Sequence, residues 1–255
     1  MGRFRLSSIV GPRRRDDGKA HLDMTAIDRY WREAHGGDPF LSLYQRARTL
    51  SGSSDNVFKQ NRHHTLAQMA DRVISEGISG DVAECGCFKG HSTYIVAERL
   101  QAGEWPGRFF VFDSFEGGLS EKTAADRSGR GDTDADRTKE QKLSFASSRD
   151  AVAALLQPFT FVSLHEGWIP AVFDTVAALA DRRFALVHVD VDLYEPTRDS
   201  LAFFGPRMSP GGVIVIDDYG SANFPGCKVA VDEYRAAHRP KFFLESHLIG
   251  AVMLF

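Results

Sequence analysis

Apolar residues recur at two different periods along this chain, and the switching between them predicts its elements. Short, nearly continuous apolar runs occur at residues 81–85 (DVAEC), 108–113 (RFFVFD), 159–164 (FTFVSL), 184–191 (FALVHVDV) and 211–217 (GGVIVID). Between them lie stretches with helical spacing, at residues 91–101, 148–157, 170–180, 196–206 and 227–238. Runs this apolar belong to strands buried on both faces. Their alternation with helices predicts an α/β fold, a mostly parallel sheet with helices on both faces. The tail at residues 241–255 carries two strand-like runs hinged near Ile249 and Gly250, with no helix between them. That spacing predicts a closing antiparallel hairpin, and seven strands in all.

Upstream, residues 63–77 place Leu66, Met69, Ala70, Val73 and Ile74 on one helical face, which Gly77 and Gly80 end. Residues 24–50 have helical spacing broken at Gly36, Gly37 and Pro39, which predicts two short helices. Residues 11–19 (GPRRRDDGK) read as a linker. Residues 1–62 are therefore an N-terminal extension, a cap or dimer contact, and residues 63–255 the main domain. One long polar, glycine-bearing stretch at residues 117–142 reads as a flexible loop, either a lid or a plain insertion.

Composition narrows the function by exclusion. The 255 residues carry a formal net charge of −3, without the basic footprint of nucleic-acid binding. No apolar run approaches the roughly 18 residues that span a bilayer, and the N-terminus lacks the apolar centre of a signal peptide. Gly2 is no myristoylation site, because Leu6 stands where Ser or Thr is required. Cys85, Cys87 and Cys227 are too few for a disulfide framework and poorly spaced for zinc. A cytoplasmic protein with reduced thiols is the expectation.

Candidate chemistry gathers at the ends of the strands, where open α/β sheets bind ligands. The first strand runs into ECGCFKGHST, residues 84–93. Gly86 permits a turn close to a ligand, and Gly90 opens the next helix. The dinucleotide fingerprint GxGxxG is absent, so the loop suits a cofactor without a diphosphate, such as S-adenosylmethionine. A glycine turn after any strand would give a similar phrase. Asp113, ending the second strand, is placed to bind ribose hydroxyls or to cap the next turn.

Strand four ends in HVDVDLY and strand five in VIDDYG. Alternation along a strand points His188, Asp190 and Asp192 one way, and the next strand brings Asp217 and Asp218 to the same rim. Such carboxylates repel unless something positive sits between them, and Arg198 is the nearest basic residue in sequence. A hard divalent cation such as Mg²⁺ resolves the conflict. It would also lower the pKa of a substrate hydroxyl, leaving a carboxylate to take the proton.

With these phrases assembled, the chain resembles the macrocin O-methyltransferase family, metal-dependent enzymes that methylate sugar hydroxyls of natural products. The resemblance rests on GDVAECGCFKGHST, FDSFEGG, HEGWIP, HVDVDLYEPTRDSL, MSPGGVIVIDDYG and PGCKVAVDEYR, in family order from about residue 63 to 238. It implies the class I methyltransferase fold, Rossmann-like, and a transferase that uses S-adenosylmethionine and Mg²⁺ or another divalent cation. By position it implies Asp190, Asp217 and Asp218 as metal ligands, with Asp190 also the general base. It implies Glu84, Gly86, Ser92, Asp113, Ser114, Ser147 and Trp168 as cofactor contacts. Leu193 stands where catechol-type relatives place a lysine, which favours a carboxylate base. Phe88-Lys89-Gly90-His91 and the insertion at 117–142 depart from the family pattern beside the expected substrate entrance.

His91 and His188 are candidate second bases or packing residues. His63 and His64 diverge by about 100° on a helix and make a poor metal pair. Tyr194 and Tyr219 are candidate substrate walls or core aromatics. The expected partner is a small-molecule or glycosylated substrate, with a homo-oligomer possible. Two rival readings are a nicotinamide-dependent oxidoreductase and a non-catalytic module on the same fold. A metal-free N-methyltransferase would leave the acids unexplained.

Overall fold

The structure, a computed structural model, describes residues 39–127, 135–179 and 181–255. The linker at 11–19 and the first of the two helices expected within 24–50 lie outside the described residues. The second is α1 (Pro39–Ser51). It is no loose appendage, because Phe40, Leu43, Tyr44 and Ala47 are buried in the principal core.

Helix α2 (Val57–Ser75) begins six residues before the expected start at 63. Asn56 caps it, its side chain accepting a hydrogen bond from the Lys59 amide at 2.8 Å. The additional turn carries Lys59 and Arg62 toward the sheet, with consequences described below.

The main alternation follows as β1 (Asp81–Cys85), α3 (His91–Ala102), β2 (Phe109–Asp113), α4 (Ala135–Ser144), α5 (Arg149–Leu156), β3 (Val162–Glu166), α6 (Ala171–Asp174), β4 (Phe184–Val189), α7 (Tyr194–Phe204), β5 (Met208–Ile216), α8 (Pro225–His238), β6 (Phe242–Glu245) and β7 (Ala251–Leu254). The seven strands lie in the order β3-β2-β1-β4-β5-β7-β6. The first five pair in parallel, while β7 runs antiparallel to both β5 and β6. Gly250, at φ 101°, makes the hairpin's return.

Strand order reverses between β1 and β4, so a crevice opens beyond their carboxyl ends. One apolar cluster packs α1, α2 and α3 against one face of the sheet. The other face holds an aromatic cluster of Phe112, Phe173, Phe184 and Phe204 beneath α7 and α8. With both faces closed, the strand ends are held rigidly.

Three expectations need correction. Of the helix expected at 170–180, the described residues form a single turn, α6, and a short 3-10 turn at Ala177–Leu179. Strand β4 stops at Val189, so Asp190 and Asp192 leave the strand's alternation. Asp192 takes the left-handed conformation, φ 60°.

The described parts of the stretch at 117–142, residues 117–127 and 135–142, also carry regular structure where a flexible loop was expected. It contains a 3-10 turn at Ala124–Asp126 and most of α4. Asp126 explains the order. It is 1% exposed, closes a capping box with Thr123, and accepts a hydrogen bond from the Tyr194 amide at 2.7 Å. The insertion is thereby tied to the N-terminus of α7.

Candidate active site

The crevice is the mouth of a cavity of about 430 Å³, within the range that holds small ligands. Its wall includes Gly86, Asp113, Ser114 and Trp168 on one side and Asp190, Asp192, Asp217 and Asp218 on the other. Lys59, Arg62 and His63 of α2 close the acidic side, while Leu119, Phe145 and Phe224 form an apolar rim.

At the β1 and β2 side every carboxylate oxygen is used. The Asp113 Oδ2 atom accepts from the Cys87 and Phe88 amides at 2.7 and 2.9 Å, and Oδ1 accepts from the Phe115 amide at 2.6 Å. Of the two roles read from the sequence, the capping one is seen here: Asp113 holds its own turn and, separately, lines the cavity. Its grip holds Phe88 at φ 48° and Phe115 at φ 50°, conformations that side chains rarely adopt. Gly86, at φ 83°, lies so close to the Asp190 carbonyl that an added Cβ would collide with it. Glycine is required there for both reasons.

Glu84, Ser92 and Ser147 lie off the cavity wall. The Glu84 carboxylate is fully buried, bonded to Thr93 Oγ1 and, at 2.8 Å, to His188 Nδ1. It pairs in register with His188 on the adjacent parallel strand, so it braces the crevice from behind. Ser92 is buried in α3. Ser147 is also buried, its amide donating to the Phe115 carbonyl at 3.1 Å. Trp168 is 44% exposed and forms an open flank, with the Lys142 ammonium 5.8 Å from its ring centroid.

The acidic side is unlike this. One ligand atom from each of His188, Asp190 and Asp217 lies within 4.8 Å of the other two. Asp190 and Asp217 are stitched to neighbouring strands through their amides, which bond the Cys85 and Val189 carbonyls at 2.8 and 2.9 Å. Burial, and then the charges of Asp217 and Asp218, push the Asp190 carboxyl well above the usual range. Asp192 and Asp218 rise for the same reason and face one another.

Asp217 goes the other way. Burial opposes its charge, but Arg62 and His188 outweigh that and hold it below the ordinary value. For His188 too burial opposes the charge, yet the Asp217 and Glu84 carboxylates push it up to about 10. Its Nε2 has no hydrogen-bond partner among the described residues and lies 3.6 Å from Asp217 Oδ1.

The sequence reading missed the basic residue nearest in space. Arg62, not Arg198, meets the acids: its Nη1 contacts Asp217 Oδ2 and lies 3.3 Å from Asp218 Oδ1. Lys59 lies one helical turn earlier, and burial lowers its pKa against the pull of Asp190. The sequence signal was Asn56, a helix N-cap that sets residues 59, 62 and 63 on one face.

The remaining candidates fall into packing roles. His91 and His63 stack edge to face at 4.5 Å, and His91 Nε2 bonds the Tyr44 carbonyl at 3.2 Å. Burial pushes the His91 ring down to about 4 and His63 well below its usual value. Tyr219 is buried with its hydroxyl on Asp232 at 2.8 Å, while Tyr194 bonds Glu233 at 2.8 Å. Neither lines the cavity.

Residues 50–246 match the model of the Macrocin-O-methyltransferase (TylF) family. The chain belongs to this family. It is an O-methyltransferase, which removes the nicotinamide-dependent oxidoreductase. It is 32% identical over 190 residues to the 8-demethyl-8-(2,3-dimethoxy-alpha-L-rhamnosyl)-tetracenomycin-C 4'-O-methyltransferase of Streptomyces olivaceus, covering 72% of this chain and 70% of that one. It is 30% identical to the mycinamicin III 3''-O-methyltransferase of Micromonospora griseorubida, over 69% of this chain and 68% of the relative.

Among solved structures, the O-methyltransferase NovP superposes with a TM-score of 0.60 at 26% identity, over 76% of this chain and 78% of that one. The calicheamicin methyltransferase CalS11 superposes with a TM-score of 0.65 at 18% identity, over 96% and 98% of the two chains, a likeness of fold. These neighbours bear out the class I architecture with its antiparallel C-terminal hairpin. No described helix is long and apolar enough to cross a membrane.

Proposed function

We propose that this chain transfers the methyl group of S-adenosylmethionine to a hydroxyl of a sugar carried by a natural product or glycan, with a divalent cation at the acidic side. The supporting observation is that a backbone crevice and a cluster of four aspartates open onto one cavity and touch where Gly86 abuts the Asp190 carbonyl. By their names, the first relative acts on a rhamnosyl-bearing tetracenomycin and the second on mycinamicin III.

The donor set fits a hard cation. Asp190 and Asp217 offer carboxylate oxygens, Asp218 stands beside them, and the His188 ring, 3.6 Å from Asp217 Oδ1, backs the cluster. When bound, such an ion lowers the pKa of a coordinated hydroxyl.

The protein's own residues do the rest. Asp190 takes the hydroxyl proton on its carboxylate, which lies on the cavity wall beside Gly86. The Glu84–His188 pair fixes the imidazole beside Asp217. Gly86, Asp113, Ser114 and Trp168, which line the same wall of the cavity, would hold the cofactor, with Gly86 leaving room for it against the backbone. The apolar rim of Leu119, Phe145 and Phe224 excludes water from the reacting oxygen. The cofactor supplies an electrophilic methyl group, and positioning of the hydroxyl in line with it provides most of the acceleration.

The test is transfer of isotope-labelled methyl from S-adenosylmethionine to a panel of rhamnosylated and deoxysugar-bearing acceptors, with and without a chelator. Labelled methyl ether that disappears on chelation and returns with Mg²⁺ is expected. Transfer unaffected by chelation would remove the metal, and transfer to an amine alone would remove the hydroxyl acceptor.

A further inference from the structure

The contacts of Arg62 are those of a stand-in for a metal. Its guanidinium contacts Asp217 and lies 3.3 Å from Asp218, two of the proposed ligands. It comes from α2, outside the sheet, so it can move without disturbing the strand ends. The side chain is 17% exposed, and its Nε has no hydrogen-bond partner among the described residues. The tip is therefore held by the acids, while the rest of the guanidinium is not anchored at its Nε.

There is also somewhere for it to go. A second cavity of about 150 Å³ adjoins the first, bordered by Arg62 and Asp217 together with Thr65, Leu244, Ser246 and Gly250. Arg62 is shared by the walls of both cavities. A rotation of its side chain toward Ser246 would leave the acids free and keep the guanidinium partly enclosed.

We propose that Arg62 is the chain's own occupant of the cation position, neutralising Asp217 and Asp218 until a divalent cation displaces it into the adjoining cavity. This rests on the reading of the acids as a metal site. A metal ion and a guanidinium compete for the same carboxylate oxygens, and their positive charges repel at close range. Arg62 thus weakens metal binding while keeping the metal-free acids from repelling one another. Metal affinity is set by a residue that is not a ligand.

The test is calorimetric titration of Mg²⁺ alone into wild type, Arg62→Gln, Arg62→Met and Arg62→Lys, with thermal unfolding of each to show that it folds. The glutamine keeps hydrogen-bond donors and the methionine keeps length, while both lose the charge. Both should bind Mg²⁺ roughly tenfold more tightly or better, as removal of a nearby like charge requires. Arg62→Lys, which keeps the charge, should stay within about threefold of wild type by the same argument.

A purely structural ion pair predicts something else: folded variants of lower stability whose Mg²⁺ affinity is unchanged or weaker. That result would overturn the proposal and leave the metal site standing. If neither wild type nor any folded variant binds Mg²⁺, the metal site itself falls and Arg62 has nothing to compete with.

Discussion

The two sides of the cavity are built on opposite principles. On the β1 and β2 side, Asp113 spends both oxygens on three backbone amides, and Gly86 supplies a turn that no other residue could make there. That side is electrostatically complete before any ligand arrives. On the β4 and β5 side, Asp190, Asp192 and Asp218 are driven toward protonation by burial and by one another, and His188 Nε2 is unpartnered. Arg62 and the imidazolium, with Lys59 one helical turn away, oppose the excess of negative charge. A satisfied polar site is rigid and binds by shape, whereas a frustrated one stores a demand for positive charge. On the proposed function, that difference would let one cavity take a cofactor on one wall and a cation on the other.

The variant with the largest expected effect separates the two sides. Asp190→Asn removes a carboxylate from the acidic side alone, so turnover should fall by about a thousandfold or more, the scale of losing a base and a charge at a reacting centre. S-adenosylmethionine affinity should stay within about threefold, since the proposed cofactor contacts lie on the opposite wall. A matching collapse of cofactor affinity would show the two sides to be one.

Gly86→Ala attacks their point of contact. The new Cβ meets the Asp190 carbonyl, and the φ of 83° is strained for alanine. Both cofactor affinity and turnover should fall, each by roughly a hundredfold, consistent with a strain of a few kcal/mol. Loss of only one would mean that the loop and the acids are not mechanically coupled.

Stability against pH sharpens the contrast from the acidic side. The His188 ring is pushed up to about 10 in the folded chain, against roughly 6.5 when unfolded. Its contribution is complete below the unfolded value and is lost as pH rises through the folded one. Asp190, Asp192 and Asp218 are also raised, and act in the same direction. Asp217 is depressed, so its contribution is lost only as pH falls. Scanning calorimetry of metal-free protein should show the melting temperature declining from about pH 6.5 to 10, with saturating Mg²⁺ reducing the decline. A flat profile would mean that the acids are not strained.

The smallest effect concerns the rim. Asp126→Ala removes the hydrogen bond to the Tyr194 amide and opens the capping box. About 1 kcal/mol of stability should be lost, as for a helix cap. KM for the acceptor should rise a few-fold, with cofactor affinity unchanged, if the Asp126 strap shapes only the entrance.

Much of the architecture was legible in the chain because apolar runs and helical spacing are local signals. The β1 to β5 alternation and the hairpin at Gly250 follow from them, with ends shifted by a few residues, as β3 and β5 are. Gly86, Asp113, Asp190, Asp217 and Asp218 were legible as strand-end residues, and they do meet at the cavity. Glu84 misled for a physical reason: it ends the same strand but its side chain points beneath the crevice, to His188. Arg62 and Asp126 were missed because each reaches its partner over a long sequence separation, from a helix in one case and an insertion in the other. No local pattern announces a contact of that kind.

The most direct test of the account is to titrate S-adenosylmethionine and, separately, Mg²⁺ into wild type and Asp217→Asn by calorimetry. Two independent sides predict that both proteins bind the cofactor with affinities within about threefold, while only wild type binds Mg²⁺. A variant that keeps Mg²⁺, or a wild type that binds neither ligand, would contradict it.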